Sequence, residues 1–173
     1  MQQSEVLSAQ FLTEFHKEVR NGMPTVPQIL WETICNRLPG PLGERLYPIP
    51  KRPFMIFILW GSRFGSEIGL SRTESEIFGV YFMNRVRRNS ELNSGDVDLN
   101  VENANEALID SLIEGDPTLD MEKFRPLRSS IKNAAGATAS YLLQPDLNVE
   151  NMIQIINHHL AIIYEQRTAL DNE

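Results

Sequence analysis

Residues 71–88, SRTESEIFGVYFMNRVRR, hold the strongest structural signal in the chain. They open with Ser71 and Glu74 at the spacing of a capping box, in which each side chain accepts a hydrogen bond from the other residue's backbone N–H. The residues that follow are apolar on almost every side of a helix, which is typical of a helix buried at the centre of a fold. Three arginines, Arg85, Arg87 and Arg88, end the stretch, where positive charge suits a helix C-terminus. We therefore predict a central helix with one basic end.

The seven residues before Gly61 are all apolar, and residues 54–60 read FMIFILW. Periodicity alone does not separate a buried strand from a buried helix in so short a run. Apolar residues continue at helical spacing through Trp60, Phe64 and Ile68, and no other segment resembles a partner strand, so we predict a buried helix. Glycines recur every fourth residue along it; this spacing either lets a neighbouring helix approach closely or marks a loose turn. They are Gly61, Gly65 and Gly69.

The remaining helices follow from apolar stripes that are bounded by capping residues, glycine and proline. We place them at residues 5–20, 26–38, 101–114, 126–143 and 149–167. Residues 39–53 contain five prolines and two glycines and are expected to form an extended connector. Residues 89–100 are expected to form a flexible polar loop, and residues 168–173 a frayed tail. The prediction is an all-α fold: a single-domain helical bundle of six or seven helices.

One hexapeptide, DLNVEN, occurs twice, at residues 98–103 and 146–151. Each copy precedes a helical pattern. Either the two copies reflect duplication of a helical unit, or two unrelated helix starts have converged, since Asp and Asn are favoured helix caps. The residues around the two copies do not match.

Composition and targeting signals indicate an intracellular globular protein. The 173 residues are 42% hydrophobic and 23% charged, which is ordinary globular composition and enough to build one core. The N-terminus has no basic segment followed by an apolar run, so no signal peptide is expected. The longest apolar run has seven residues, whereas a bilayer span needs about 20. With a single cysteine, Cys35, no internal disulfide can form, and a cytoplasmic location without membrane contact is expected.

A calcium loop is the first candidate metal site, because oxygen-bearing residues alternate from Asp96 to Glu102 through Asp98 and Asn100. This alternation is similar to the start of an EF-hand loop. Such a loop also needs glycine at its sixth position and a bidentate glutamate at its twelfth. Those positions hold valine and alanine here. The run is therefore interpreted as an acidic cap before a helix.

The sequence offers little for other metals or for catalysis. His158 and His159 are adjacent, so on a helix they point about 100° apart and cannot share a metal as an i, i+4 pair does. Residues 61–69, GSRFGSEIG, match a nucleophile elbow only loosely, because neither serine lies within G-x-S-x-G. No P-loop or dinucleotide-binding fingerprint is present. We predict no catalytic residue, no metal, no cofactor and no small-molecule substrate, and thus a protein that is not an enzyme.

Charge is distributed unevenly along the chain, whose net charge is −7. Residues 1–43 carry −1, residues 44–88 carry +4 and residues 89–173 carry −10. A basic middle segment and an acidic C-terminal half can attract each other, within one molecule or between copies. The candidate basic binding residues are Arg63, Arg72, Arg85, Arg87 and Arg88.

The acidic half contains four carboxylates at successive i, i+4 positions, which line one side of a predicted helix. Like charges at this spacing destabilise an isolated helix by a few tenths of a kcal/mol per pair, so the row needs water or a cationic partner. Arg128 and Lys132 on the next helix are one such partner. The basic segment of another copy is the alternative, and such a head-to-tail contact would build rings or filaments. The row is Glu102, Glu106, Asp110 and Glu114.

Nucleic acid is the other natural partner for the arginines, since phosphate binding requires a cluster of cations and a local patch determines the local field. Residues 65–88 can also be aligned with a helix-turn-helix. Its recognition helix would then carry Phe78, Tyr81 and Phe82 at its middle, and these belong in a core. Contact with the phosphate backbone is therefore favoured over reading of a base sequence.

Residues 133–140 read NAAGATAS, which are nearly all small. Small residues let backbones approach, either inside the molecule or between copies. From all these patterns we expect a non-enzymatic helical interaction or self-assembly protein. Its basic patch would engage another copy, a partner protein or a nucleic-acid backbone, as in a nucleic-acid-packaging coat. A regulator that binds DNA or protein as a small oligomer is the alternative.

Overall fold

The computed structural model describes residues 8–20, 57–91 and 99–171, and within these ranges it contains six helices and no strand. The all-α class predicted from the sequence is confirmed. The helix predicted at residues 26–38 and the connector at residues 39–53 lie outside the described residues. The helices are α1 (Ala9–Arg20), α2 (Phe57–Glu67), α3 (Arg72–Glu91), α4 (Leu99–Glu114), α5 (Met121–Leu142) and α6 (Val149–Asp171).

The turn between α2 and α3 follows the local chemistry predicted for it. The Ser71 backbone N–H donates to Glu74 Oε1 at 2.8 Å, and the Glu74 N–H donates to Ser71 Oγ at 3.2 Å. Gly69 adopts a φ of 91°, in the left-handed region that glycine enters without steric cost. The predicted helix over the apolar run is confirmed from Phe57 onward.

Helices α2 and α3 pack closely because each has a glycine where they meet. A Cβ placed on Gly61 would lie 2.7 Å from Gly79 Cα, and one placed on Gly79 would lie 2.3 Å from the Ile58 carbonyl oxygen. Real side chains do not approach so closely, so neither position has room for a larger residue. Close approach is therefore the correct reading of the glycine at position 61.

The core is built around α3, which contacts α2, α4 and α5. Its apolar residues between Ile77 and Met83 are buried, as predicted for a central helix. On the α2 side, rings from α1 to α3 are in contact: the Phe15 ring centre lies 5.3 Å from that of Phe64 in an edge-on arrangement, and the Phe64 ring stacks on Phe78 at 5.9 Å. Helix α1 also contacts α5 and α6.

Helix α5 begins five residues before the predicted start at Pro126. Asp120 caps it, because its Oδ1 accepts hydrogen bonds from the N–H groups of Glu122 at 3.0 Å and Lys123 at 3.1 Å. Pro126 therefore lies inside the helix, where it lacks the N–H that would otherwise pair with the preceding turn. Further along, the small residues Ala134, Ala135, Thr138 and Ala139 are buried. This stretch packs inside the molecule.

The two copies of the repeated hexapeptide occupy different positions relative to their helices. In the second copy, Asn148 precedes α6 and its Oδ1 accepts the Asn151 N–H at 3.1 Å. In the first copy, helix α4 already begins at the second residue, Leu99. The repeat therefore does not mark the same structural position twice.

The remaining boundaries complete the fold. Helix α3 continues through residues 89–91, and α6 continues past Arg167 through residues 168–171. The residues between α3 and α4, numbers 92–98, lie outside the described residues. Among the helices described, none combines the length and the apolar character needed to cross a bilayer.

Candidate functional site

The structure divides the predicted basic residues among three places. Arg85 and Arg88 line one cleft between α3, α4 and α5. Arg72 lines a second cleft, and the Arg63 guanidinium lies 5.5 Å from the centre of the Trp60 ring on α2. Arg87 lies in α3, but its side chain is outside the part that the structure describes. The predicted basic set is therefore not a single patch.

The first cleft is lined by cationic residues from both the basic middle segment and the acidic C-terminal half of the chain. Its volume is about 200 Å³, and Lys132 of α5 lines it opposite Arg85 and Arg88. All three cationic residues are exposed. We call Arg85, Arg88, Lys132 and the cavity between them the basic cleft; its other lining residues are Tyr81, Asn84, Glu106 and Gly136.

Helical spacing explains why these residues share one cleft. Tyr81, Asn84, Arg85 and Arg88 fall at i, i+3, i+4 and i+7 of α3 and therefore lie on one side of it. On α5, Gly136 follows Lys132 by four residues. A Cβ added to Gly136 would lie 3.9 Å from Arg85 Nη1. The Arg85 guanidinium thus extends to the α5 backbone where no side chain stands in its way.

Tyr81 forms the floor of the basic cleft and is buried. The Lys132 ammonium lies 5.7 Å from the centre of its ring, a cation–π arrangement. Its Oη accepts a hydrogen bond from Arg128 Nε at 2.9 Å. Burial raises the pKa of the Tyr81 hydroxyl above its usual value, so this group stays neutral at physiological pH.

Arg128 supplies the internal partner for part of the acidic row. Its Nη1 donates to Asp110 Oδ1 at 2.6 Å and its Nη2 donates to Glu106 Oε2 at 2.5 Å. Burial opposes the charge on Arg128, but the hydrogen bonds with Asp110, Tyr81 and Glu106 outweigh that cost and raise the pKa of the guanidinium. In the rest of the row, Glu114 is exposed and the side chain of Glu102 is outside the described part.

A pair of amides closes the α4 side of the basic cleft. The Asn105 amide, buried in α4, donates from Nδ2 to Asn84 Oδ1. Asn84 Oδ1 thereby accepts a hydrogen bond, and the Asn84 amide nitrogen at the cleft wall is a hydrogen-bond donor group. Together with the guanidinium and ammonium groups, this makes the cleft rich in donors.

Sequence reasoning missed a second polar cluster, at the opposite end of α3. Arg167 of α6 donates to both carboxylate oxygens of Glu74, at 2.5 and 3.2 Å. The Glu74 side chain is only 5% exposed. These residues are 93 positions apart, and Glu74 was noticed only for its role in the capping box, so no local pattern could have paired them. They line the second cleft with Arg72, Asp116 and Lys123, where both signs of charge are present.

The histidines and acidic residues do not form a metal site within the described ranges. No group of three His, Cys, Asp or Glu side chains there has the arrangement needed to hold an ion. His158 is exposed, and its ring lies 5.6 Å from that of His159. Burial, together with the charge of His158, lowers the pKa of His159 below its usual value. The side chains of the candidate calcium run at residues 96–102 lie outside the part that the structure describes.

The basic cleft therefore has the chemistry of an anion site. It presents guanidinium, ammonium and amide donors on one side of a rigid helix pair, without a nucleophile and general base aligned for catalysis among its described residues. Comparisons with protein-family models, curated proteins and solved structures found no match to this chain.

Proposed function

We propose that this protein is a non-enzymatic helical module that binds the phosphate backbone of nucleic acid through the basic cleft. The observation that carries the proposal is the convergence of Arg85 and Arg88 from α3 with Lys132 from α5 on one cavity. Two of these cations were expected from the sequence, and the third comes from the acidic half of the chain.

The chemistry of the cleft favours phosphate as the anion. A phosphodiester only accepts hydrogen bonds, and Arg85, Lys132 and Asn84 line the cleft with groups that can donate them. Arg88 adds a further positive charge at the same cleft. Glu106 is the one carboxylate among the described residues that line the cleft, and Arg128 holds its Oε2 at 2.5 Å. Although the chain carries a net charge of −7, a cluster of cations in a cleft determines the potential at that place.

Binding through this cleft is expected to be independent of base sequence. Stacking on a base requires an exposed aromatic face. The aromatic residue that lines the cleft, Tyr81, is 5% exposed, and Lys132 lies over its ring. A protein that contacts the backbone without reading bases would suit packaging or coating of nucleic acid.

Self-assembly through the acidic row is the alternative and has weaker support. It requires Glu102, Glu106, Asp110 and Glu114 to receive the basic segment of another copy. Arg128 already donates to Glu106 and Asp110, at 2.5 and 2.6 Å. A second copy would have to displace these bonds or rely on the outer members of the row.

The test is fluorescence anisotropy with a labelled 20-nucleotide single-stranded DNA of mixed sequence, measured from 50 to 300 mM salt. The wild-type affinity is expected to fall log-linearly with salt as counterions are released. The double variant Arg85→Glu/Lys132→Glu should bind about tenfold more weakly, with a shallower salt dependence.

The matched control is Arg63→Glu/Arg72→Glu, which makes the same change in net charge at two predicted basic residues outside the basic cleft. The affinity of this control variant for the DNA probe should stay within about twofold of the wild-type affinity, since backbone binding depends on local contacts as well as net charge. An equal loss of DNA affinity in the two double variants would contradict the proposal, and so would a wild-type protein that does not bind the DNA. Light scattering on the same samples without DNA detects self-assembly; salt-sensitive oligomers with no DNA binding would favour the alternative.

A further inference from the structure

The basic cleft opens onto an exposed side of α5. Arg125, Ser129, Lys132 and Gly136 fall at i, i+4, i+7 and i+11, which places them on one side of that helix. Arg125, Ser129 and Lys132 are exposed. The sequence pattern gave no reason to select Arg125, because it belongs to the acidic half. The structure makes it the continuation of the surface that contains Lys132.

The length of this surface suits a chain of phosphates better than a single anion. The eleven steps from Arg125 to Gly136 rise about 16 Å along the helix axis, at about 1.5 Å each. Consecutive phosphates of an extended single strand lie about 6–7 Å apart, which is about twice the axial spacing per strand in a duplex. The surface is therefore long enough for about three consecutive phosphates.

Arg128 neutralises two of the carboxylates near this surface. It lies between Arg125 and Lys132 in sequence, but its guanidinium points to α4 and donates to Glu106 and Asp110. The carboxylate nearest to Arg125 in sequence, Glu122, is exposed. On the exposed side, the Ser129 hydroxyl adds a neutral donor between the two cations.

We infer that the partner is an extended run of about three backbone phosphates of one nucleic-acid strand, which enters the basic cleft at Arg85 and follows α5 through Lys132 to Arg125. This inference rests on the proposed function, because it assigns the path of the strand beyond the cleft. It adds Arg125 as a binding residue and gives the site a defined length.

The first experiment compares Arg125→Glu with Lys123→Glu. Both residues are exposed on α5 and two positions apart, so they point about 200° apart around the helix axis. Lys123 lines the second cleft. Arg125→Glu should weaken binding of the 20-nucleotide probe about fivefold and reduce the slope of log affinity against log salt by about one. Lys123→Glu should change the affinity by less than about twofold, since it lies off the proposed path.

The second experiment varies the length of the probe. Single-stranded oligonucleotides of two, three, four, five, six and ten nucleotides should gain affinity steeply up to about three phosphates and only slightly beyond. With Arg125→Glu the gain should end about one nucleotide earlier, because the far end of the path has lost its cation. Thermal denaturation of each variant confirms that the fold is intact.

Failure of this inference can be told apart from failure of the proposed function. If Arg125→Glu binds as the wild type while Arg85→Glu/Lys132→Glu is impaired, the cleft binds phosphate but the path along α5 is wrong. Equal effects of Arg125→Glu and Lys123→Glu would also overturn the path. If the wild type binds none of the probes, both the path and the proposed function are wrong.

Discussion

The two halves of α3 make contacts of opposite kinds. Near its middle, α3 meets α2 through Gly61 and Gly79, with the rings of Phe64 and Phe78 stacked beside them. Toward its C-terminal end, α3 faces α4 and α5 through Tyr81, Asn84 and Arg85, which make or offer polar contacts. Shape determines the first contact, because there is no room for a side chain. Charge and hydrogen bonding determine the second, where a cavity remains and ligands can enter.

The largest effect on stability is expected when a glycine is replaced by alanine at the α2 contact and, for comparison, at the basic cleft. Gly79→Ala places a Cβ 2.3 Å from the Ile58 carbonyl oxygen, so the backbones must move apart. Overpacking of this kind costs about 3 kcal/mol of unfolding free energy. Gly136→Ala adds the same methyl group where the nearest atom is 3.9 Å away. That substitution should raise the unfolding free energy by about 0.5–1 kcal/mol through helix propensity.

Urea denaturation of the two alanine variants measures both changes in unfolding free energy. Because the substitution is identical and both glycines are helical, differences in propensity cancel in the comparison. If the two variants change stability equally, the close contact of α2 and α3 does not control the fold.

An intermediate effect is expected for Arg128→Met, which removes the polar contact of α3, α4 and α5. It leaves the buried Tyr81 hydroxyl without its hydrogen-bond donor and separates Glu106 and Asp110 from their cation. These two carboxylates are about half exposed, at 45% and 50%, so water can solvate them. We expect a loss of about 2 kcal/mol.

The control for this loss is Arg125→Met on the same helix. Arg125 is exposed, so its replacement should change the unfolding free energy by less than about 0.5 kcal/mol. Raising the salt from 50 to 500 mM should reduce the difference between wild type and Arg128→Met, because salt screens exposed charges. A difference that does not depend on salt would mean that packing of the arginine stem, and not its charge, provides the stability.

The smallest effect is expected at the start of α5, the helix that carries both Arg128 and Lys132. Asp120→Ala removes the acceptor for two backbone N–H groups and should cost about 1 kcal/mol. Asp146→Ala is the control, because Asp146 is exposed before α6, where Asn148 provides the capping oxygen. Equal denaturation midpoints for the two variants would show that Asp120 does not cap the helix.

Local patterns predicted a large part of this fold. The capping box of Ser71 and Glu74, the buried helix α3 and the helical state of the apolar run at Phe57 all depend on residues within one or two turns of each other. The predicted start of α5 at Pro126 was wrong because proline is common in the first turn of a helix, whereas Asp120, six residues earlier, accepts hydrogen bonds from free N–H groups and caps the helix. Asp120 and Pro126 are both signals for the start of a helix, and the cap at Asp120 determined where α5 begins.

The candidate site was predicted only in part. Arg85 and Arg88 line the same cleft, whereas Arg63 and Arg72 lie elsewhere and were grouped with them only because they are near in sequence. Lys132 and Arg125 lie more than 35 positions after Arg88 and belong to an acidic segment. Charge summed over a segment averages over all sides of its helices and cannot show which side chains meet.

By itself, the sequence determined that the chain is all-α and that α3 is central. These properties depend on hydrophobic periodicity and caps, both of which are local. The tertiary structure decided that Gly61 allows a close helix contact and does not mark a loose turn. Only the tertiary structure decided that Arg128 forms ion pairs with Glu106 and Asp110, whereas Lys132 lines the basic cleft with Arg85. The physical reason is that an ion pair depends on distances between helices, and those distances are determined by how the apolar faces pack.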